Sequence, residues 1–190
     1  MNIKQLIICI FIIFFSYYVN ARDNYSLQTG THSVLNKVQK DIEEGKNEEA
    51  LVKLEKIITS GNIKDYDSAV IYQTIGFIQN NLGDFKEAAE NYIKALSYEA
   101  LPDEITHSLY YTVTQLLVYS ERYQEGIEYI LKWFAKEKDP KAEAYILAAT
   151  GYYYLENYNE VISYASKALP LIKTPPLNWY ELLLAGYYET

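Results

Sequence analysis

VYSERYQEGIEYILKWF, residues 118–134, holds a turn, an aromatic hinge and an apolar helix opened by acidic residues. The same order, with an aromatic or polar hinge, recurs in EEGKNEEALVKLEKII (43–58), NNLGDFKEAAENYIKAL (80–96) and YLENYNEVISYASKAL (154–169). Their small or apolar anchors Ala50, Ala88, Gly126 and Val161 stand 38, 38 and 35 residues apart. Ahead of the last three lie AVIYQTIGFIQNNLGDF (69–85), SLYYTVTQLLVYSERY (108–123) and EAYILAATGYYYLENY (143–158). In these, Tyr72, Ile75 and Gln79 match Tyr110, Val113 and Leu117, and then Tyr145, Ala148 and Tyr152. Spacings of three and four place each trio on one helix face. Gly76, Thr114 and Ala149 fall where two helices must approach closely, and Phe85, Tyr123 and Tyr158 follow the turns as wedges.

Two amphipathic helices per period of about 34 residues are the signature of a tetratricopeptide array. The predicted fold is therefore all-α: a right-handed superhelical solenoid of antiparallel helix pairs over residues 31–190. It comprises about 4.5 repeats, four pairs and one unpaired helix. The first pair is degenerate, with Lys37 and Asp41 where later pairs are apolar or aromatic, as befits an end cap facing water. At the other end Tyr180, Leu183, Leu184 and Tyr187 repeat the spacing of Tyr145, Ala148, Ala149 and Tyr152 without a second helix to follow. An apolar face left open there predicts either a longer natural protein or a homodimer formed through this helix.

Composition bounds the chemistry. The 190 residues are 49% apolar and 22% charged, a globular balance, and the net charge of −8 argues against nucleic acid as a partner. Lys4, an unbroken apolar run from Leu6 to Phe15 and the ending Val19-Asn20-Ala21 read as a secretory signal peptide, residues 1–21, cleaved after Ala21. Residues 22–30 then form a flexible leader. A membrane span needs about 20 apolar residues, and Ser16 and Asn20 interrupt too early. No stable span is expected after cleavage, and an uncleaved anchor running through Tyr17, Tyr18 and Val19 is the alternative. The single cysteine, Cys9, lies inside the signal and follows Ile8 rather than a small residue, so it is no lipoprotein attachment site. The mature chain, free of cysteine, suits an oxidising compartment. Asn24-Tyr25-Ser26 is a glycosylation sequon in form only.

Catalysis finds no support in the sequence. His32 and His107 read as surface residues, no HExxH, GxSxG, P-loop or CxxC occurs, and acidic pairs such as Glu48-Glu49 sit at helix starts, where the helix dipole favours them. The expected protein is not an enzyme and uses no cofactor or metal. An aromatic stripe at helical spacing is packing before it is a ligand site, so most of the 21 tyrosines are expected in the core with hydroxyls at the rim. The opposite faces of the same helices are the candidate peptide-binding groove. They carry Gln73, Phe77, Asn80 and Asn81, then Tyr111, Gln115, Val118 and Tyr119, then Ile146, Thr150, Tyr153 and Tyr154. In a right-handed stack these faces line the concave side. Without lysine or arginine, that surface offers no charge-assisted clamp for an acidic chain end.

From Leu109 onwards the chain resembles the periplasmic tetratricopeptide proteins associated with TonB, ExbB and ExbD systems. The cues are Gln115-Leu116, Lys132-Trp133-Phe134, Ala144-Tyr145 with its alanine-rich helix, and Asn178-Trp179-Tyr180 leading into Leu182-Leu183-Leu184. The resemblance implies a periplasmic, non-enzymatic scaffold that serves TonB-dependent transport through protein contacts, with TonB or another energy-transduction component as partner. It also implies a proline-rich ligand in polyproline II form, whose rings would stack on Tyr111, Tyr119, Tyr153 and Tyr154 while Gln73, Asn80, Asn81 and Gln115 donate to its carbonyls. A general assembly factor or chaperone for outer-membrane proteins is the alternative.

Overall fold

The computed structural model describes residues 25–190; the expected signal peptide and residues 22–24 lie outside the described residues. Among those described are nine α-helices and no strand. They are α1 (Thr29–Glu43), α2 (Asn47–Thr59), α3 (Asp65–Leu82), α4 (Phe85–Ser97), α5 (Asp103–Tyr119), α6 (Tyr123–Phe134), α7 (Ala142–Tyr154), α8 (Tyr158–Ala168) and α9 (Leu177–Tyr188). A short 3-10 turn, Leu169–Leu171, follows α8. No described helix is long and apolar enough to cross a membrane. The chain is all-α, and its turns of two to three residues fold successive helices into antiparallel hairpins.

Two compact units share the chain, and the boundary runs through α4. One contains the residues up to Gly83 together with Glu90–Pro102, the other Asp84–Ala89 together with Asp103–Thr190. In the first unit α1 packs on α2 and on α3, which also touches α2. Its core is aliphatic: Leu35, Val38, Ala50, Leu54, Ile71, Ile75 and Ile78 are buried together. In the second unit α5 packs on α6 and α7, and α7 packs on α8 and α9. Within each unit a first helix thus touches a second helix and the next first helix, which is how stacked hairpins bury a shared core.

Close approach is bought with small side chains at the expected places. A Cβ added to Gly76 would stand 2.9 Å from the buried Tyr92 ring, and Thr114 and Ala149 are fully buried. Thr114 settles its hydroxyl by donating to the Tyr110 carbonyl one turn back, 2.8 Å away.

The four hairpin turns share a left-handed closing residue. After α1, Gly45 takes φ 75° and its N–H donates to the Ile42 carbonyl, while Lys46 N–H reaches Asp41. Gly83 (φ 88°), Glu121 (φ 61°) and Glu156 (φ 57°) stand at the matching positions after α3, α5 and α7. Arg122 N–H donates to Leu117 and Asn157 N–H to Tyr152, which completes a Schellman closure of the orphan helix carbonyls. A left-handed residue is what this closure demands, and glycine meets it without a Cβ penalty. The glutamates meet it at a cost.

Two features differ from expectation. The last residues of the stretch expected as a flexible leader are tied to the start of α3. Gln28 N–H donates to Asp67 Oδ1 (3.0 Å), and Lys64 N–H donates to Gln28 Oε1 (3.1 Å). Tyr25 lies against Tyr66 with ring centroids 5.6 Å apart, and Leu27 packs on the aliphatic core. Each of two helix starts thereby caps the other with a side chain. Asp41, expected to face water, is only 8% exposed and forms an ion pair with Lys53 of α2. The degenerate first pair has replaced an apolar contact by a charged one, while Lys37 is exposed.

Candidate functional site

A network of half-buried rings packs around the aliphatic core of the second unit, in which Val113, Leu117, Ile130 and Val161 are fully buried. Trp133 lies 5.5 Å from the His107 ring, nearly parallel to it, and 5.1 Å from Tyr111; Phe134 carries the contact onward to Tyr145 (5.1 Å) and Tyr164 (5.6 Å). Tyr152 stacks on Tyr164 at 5.5 Å. These rings are half-buried, and desolvation raises the hydroxyl pKa of Tyr111, Tyr152 and Tyr164, with nearby carboxylates adding to it. His107, read from sequence as a surface residue, is half-buried, with Nε2 3.2 Å from the Trp133 carbonyl. It serves packing. Among the described residues no cluster of three His, Cys, Asp or Glu side chains could hold a metal ion.

The predicted groove residues separate into three groups. Tyr111 and Phe77 pack against core clusters of their own units, so only part of either ring meets solvent. Gln73, Asn80 and Thr150 are half-buried, and Thr150 spends its hydroxyl on the Ile146 carbonyl at 2.8 Å. Asn81, Gln115, Tyr119 (72% exposed), Tyr153 (36%) and Tyr154 (56%) remain open. Gln73, Phe77, Asn80 and Asn81 belong to the first unit, and the remaining site residues to the second.

The open tyrosines are not free-standing. Tyr119, at the end of α5, meets Phe85 edge-on at 4.7 Å, and Tyr154, at the end of α7, stacks on Tyr123 at 4.3 Å and 9°. Each pair joins the first residue of a second helix to the last residue of the next first helix. Tyr153 touches Tyr154 and Tyr158 edge-on, at 5.5 and 6.2 Å. The wedge role read from the spacing of Phe85, Tyr123 and Tyr158 thus includes holding exposed rings in place. What sequence alone did not reveal is that wedges and groove candidates are partners, because they are 31 to 34 positions apart and meet only when hairpins stack.

No family model matches the chain, and no curated protein is similar to it. Solved structures are. A MamA double mutant (RS-1 ArsTM) superposes with a TM-score of 0.65 at 19% identity, covering 86% of this chain and 87% of its own. MamA 41-end from Desulfovibrio magneticus RS-1 gives 0.64 at 19% identity over 86% and 88%, and a further MamA crystal structure 0.64 at 16% over 84% and 81%. MamA is a tetratricopeptide-like helical-repeat protein, and this chain has that fold.

Proposed function

We propose that this chain is a non-enzymatic protein-binding scaffold that holds an extended peptide segment against its exposed tyrosines and amides. The observation that carries the reading is the set Gln115, Tyr119, Tyr153 and Tyr154 of the second unit, which packing leaves open in a helical-repeat fold. Ring faces held by neighbouring rings present large contact area at little entropic cost, and amides supply donors and acceptors to an extended backbone. The fold shared with MamA supports a scaffold in general terms. The finer version is export to a bacterial periplasm and service to a TonB-linked transport system. It rests on the apolar run Leu6–Phe15 and on the Trp133 and Trp179 motifs. Self-association through α9 belongs to the same proposal: Leu177, Tyr180, Leu184 and Tyr187 are exposed along one side of that helix, while Trp179 and Gly186 are buried.

The test is a calorimetric titration of a lysine- and proline-rich peptide into the purified protein. Tyr119→Ala and Tyr153→Ala should each weaken binding by about 1–2 kcal/mol while far-UV circular dichroism stays unchanged. A folded wild type that ignores the peptide would remove the polyproline reading, and light scattering showing a monomer at high concentration would remove the pairing.

A further inference from the structure

The hairpin turns of the second unit bring together four tyrosines and two glutamates. Tyr123, Tyr154, Tyr153 and Tyr158 form a continuous run of rings, face to face at the first contact and edge to face at the next two. Tyr123 covers one face of Tyr154, which is nevertheless 56% exposed, so its remaining surface is open to a ligand. Glu121 and Glu156 occupy the left-handed turn positions that Gly45 and Gly83 fill elsewhere. Both are exposed, and neither is engaged by a base among the described residues.

Glu121 stands two residues before Tyr123, and Glu156 two after Tyr154 and two before Tyr158. After desolvation and Tyr154, Glu121 raises the Tyr123 hydroxyl, and after desolvation Glu189 and Glu156 raise that of Tyr158. Residues 119–125 and 152–160 together hold four acids, Glu121, Glu125, Glu156 and Glu160, against one base, Arg122. Arg122 is already compensated, because its Nε and Nη2 donate to the two oxygens of Glu125 at 2.8 and 2.6 Å. The edge therefore offers negative ring faces and carboxylates to a cation from outside.

We propose that this turn edge docks an arginine-bearing segment of a partner protein, its guanidinium lying on Tyr154 and Tyr153 and pairing with Glu121 or Glu156. A guanidinium is flat enough to stack on a tyrosine while its fork reaches a carboxylate in the ring's plane, which a compact, strongly hydrated ammonium does less well. The inference rests on the scaffold reading and names the partner chemistry at the Tyr153–Tyr154 end of that surface.

Fluorescence polarisation with a short Gly/Ser peptide carrying two arginines, titrated with the whole protein, tests it. The arginine peptide should bind, its citrulline counterpart should not, and Glu121→Gln with Glu156→Gln should weaken binding about tenfold. Tyr154→Ala should have an effect of the same order. Replacing both glutamates by glycine should weaken binding equally yet raise the melting temperature, an opposition that a purely structural role for them would not produce. Equal affinity for arginine and citrulline peptides, an unchanged affinity in the Gln variant, or no binding by wild type each overturns the proposal. Gln115→Ala and Tyr119→Ala, assayed with the lysine- and proline-rich peptide, separate the two ideas. If that peptide binds and responds while the arginine peptide does not, the edge site alone fails; if neither peptide binds, the scaffold reading fails with it.

Discussion

The two units build the same helix hairpin from different side chains. The first is filled mainly by Leu, Ile and Val, with Leu54, Ile71 and Ile78 fully buried and one enclosed ring, Tyr92. The second also has a branched aliphatic centre, Val113, Leu117, Ile130 and Val161, and adds a layer of half-buried rings, Trp133, Phe134, Tyr145, Tyr152 and Tyr164, along with the buried alanines Ala142, Ala144, Ala148, Ala149, Ala165 and Ala168. The turns differ in parallel, Gly45 and Gly83 against Glu121 and Glu156. A repeat backbone thus tolerates an aliphatic core with or without a layer of rings around it. The rings have a consequence at the surface, because those wedged at helix starts also pin rings that project into solvent.

The strongest way to break this comparison is alkaline pH. In the second unit Tyr111, Tyr129, Tyr152 and Tyr164 have hydroxyl pKa values raised chiefly by desolvation, and in the first Tyr72 and Tyr92 do. A folded-state pKa above the unfolded value of about 10 gives stability that is complete below that value. It is lost as pH rises through the raised folded pKa. Thermal stability should therefore fall steadily above about pH 10, and Tyr164→Phe, which keeps the ring and removes the proton, should flatten the loss. Both tryptophans, Trp133 and Trp179, lie in the second unit. Their fluorescence follows that unit, whereas circular dichroism senses all helices. Because burial raises the Tyr92 hydroxyl of the first unit most strongly, Tyr92→Phe should flatten the loss more than Tyr164→Phe, and equal effects would refute the contrast between one enclosed ring and a half-buried layer.

Smaller effects are expected at the close approaches. A methyl at Gly76 meets the flat face of Tyr92 at 2.9 to 3.1 Å, and that ring is 95% enclosed, with 5% exposed. Gly76→Ala should cost about 1–2 kcal/mol even after the gain in helix propensity. A methyl at Gly151 meets the Cδ1 end of Ile127 at 2.8 Å, which can turn aside. Gly151→Ala should fall within about 0.5 kcal/mol of wild type. Denaturant unfolding of the two variants checks the difference, and equal costs would show that ring and aliphatic neighbours yield alike.

Smallest is the exchange of turn residues. Glu156→Gly should stabilise and Gly83→Glu destabilise, each by about 1 kcal/mol, since both positions are left-handed. Melting temperatures of the single variants would show it, and changes of the same sign would mean that the turns are not equivalent.

The hairpins were legible because their signals are local. Ala50, Ala88, Gly126 and Val161 recur with the helical period around them, and each proves to be buried. The open end of α9 could be read in the same way from Tyr180, Leu184 and Tyr187, all exposed. The candidate site was read only in part. Phe77 and Tyr111 have the same helical placement as exposed neighbours yet pack inward, and Asp41, a charge in sequence, is enclosed with Lys53. Residues three or four apart share a helix face, but which neighbour covers that face depends on helices roughly one period away.

By itself, then, the sequence determined the helical period, the hairpin turns and the absence of recognisable catalytic motifs, since these follow from spacing and residue chemistry along the chain. Tertiary structure alone decided which tyrosines are core and which are presented. It set Tyr119 on Phe85 and Tyr154 on Tyr123, and it placed Glu121 and Glu156 in the left-handed conformation beside those rings. The physical reason is that burial belongs to pairs of surfaces brought together by folding, whereas periodicity belongs to one helix alone.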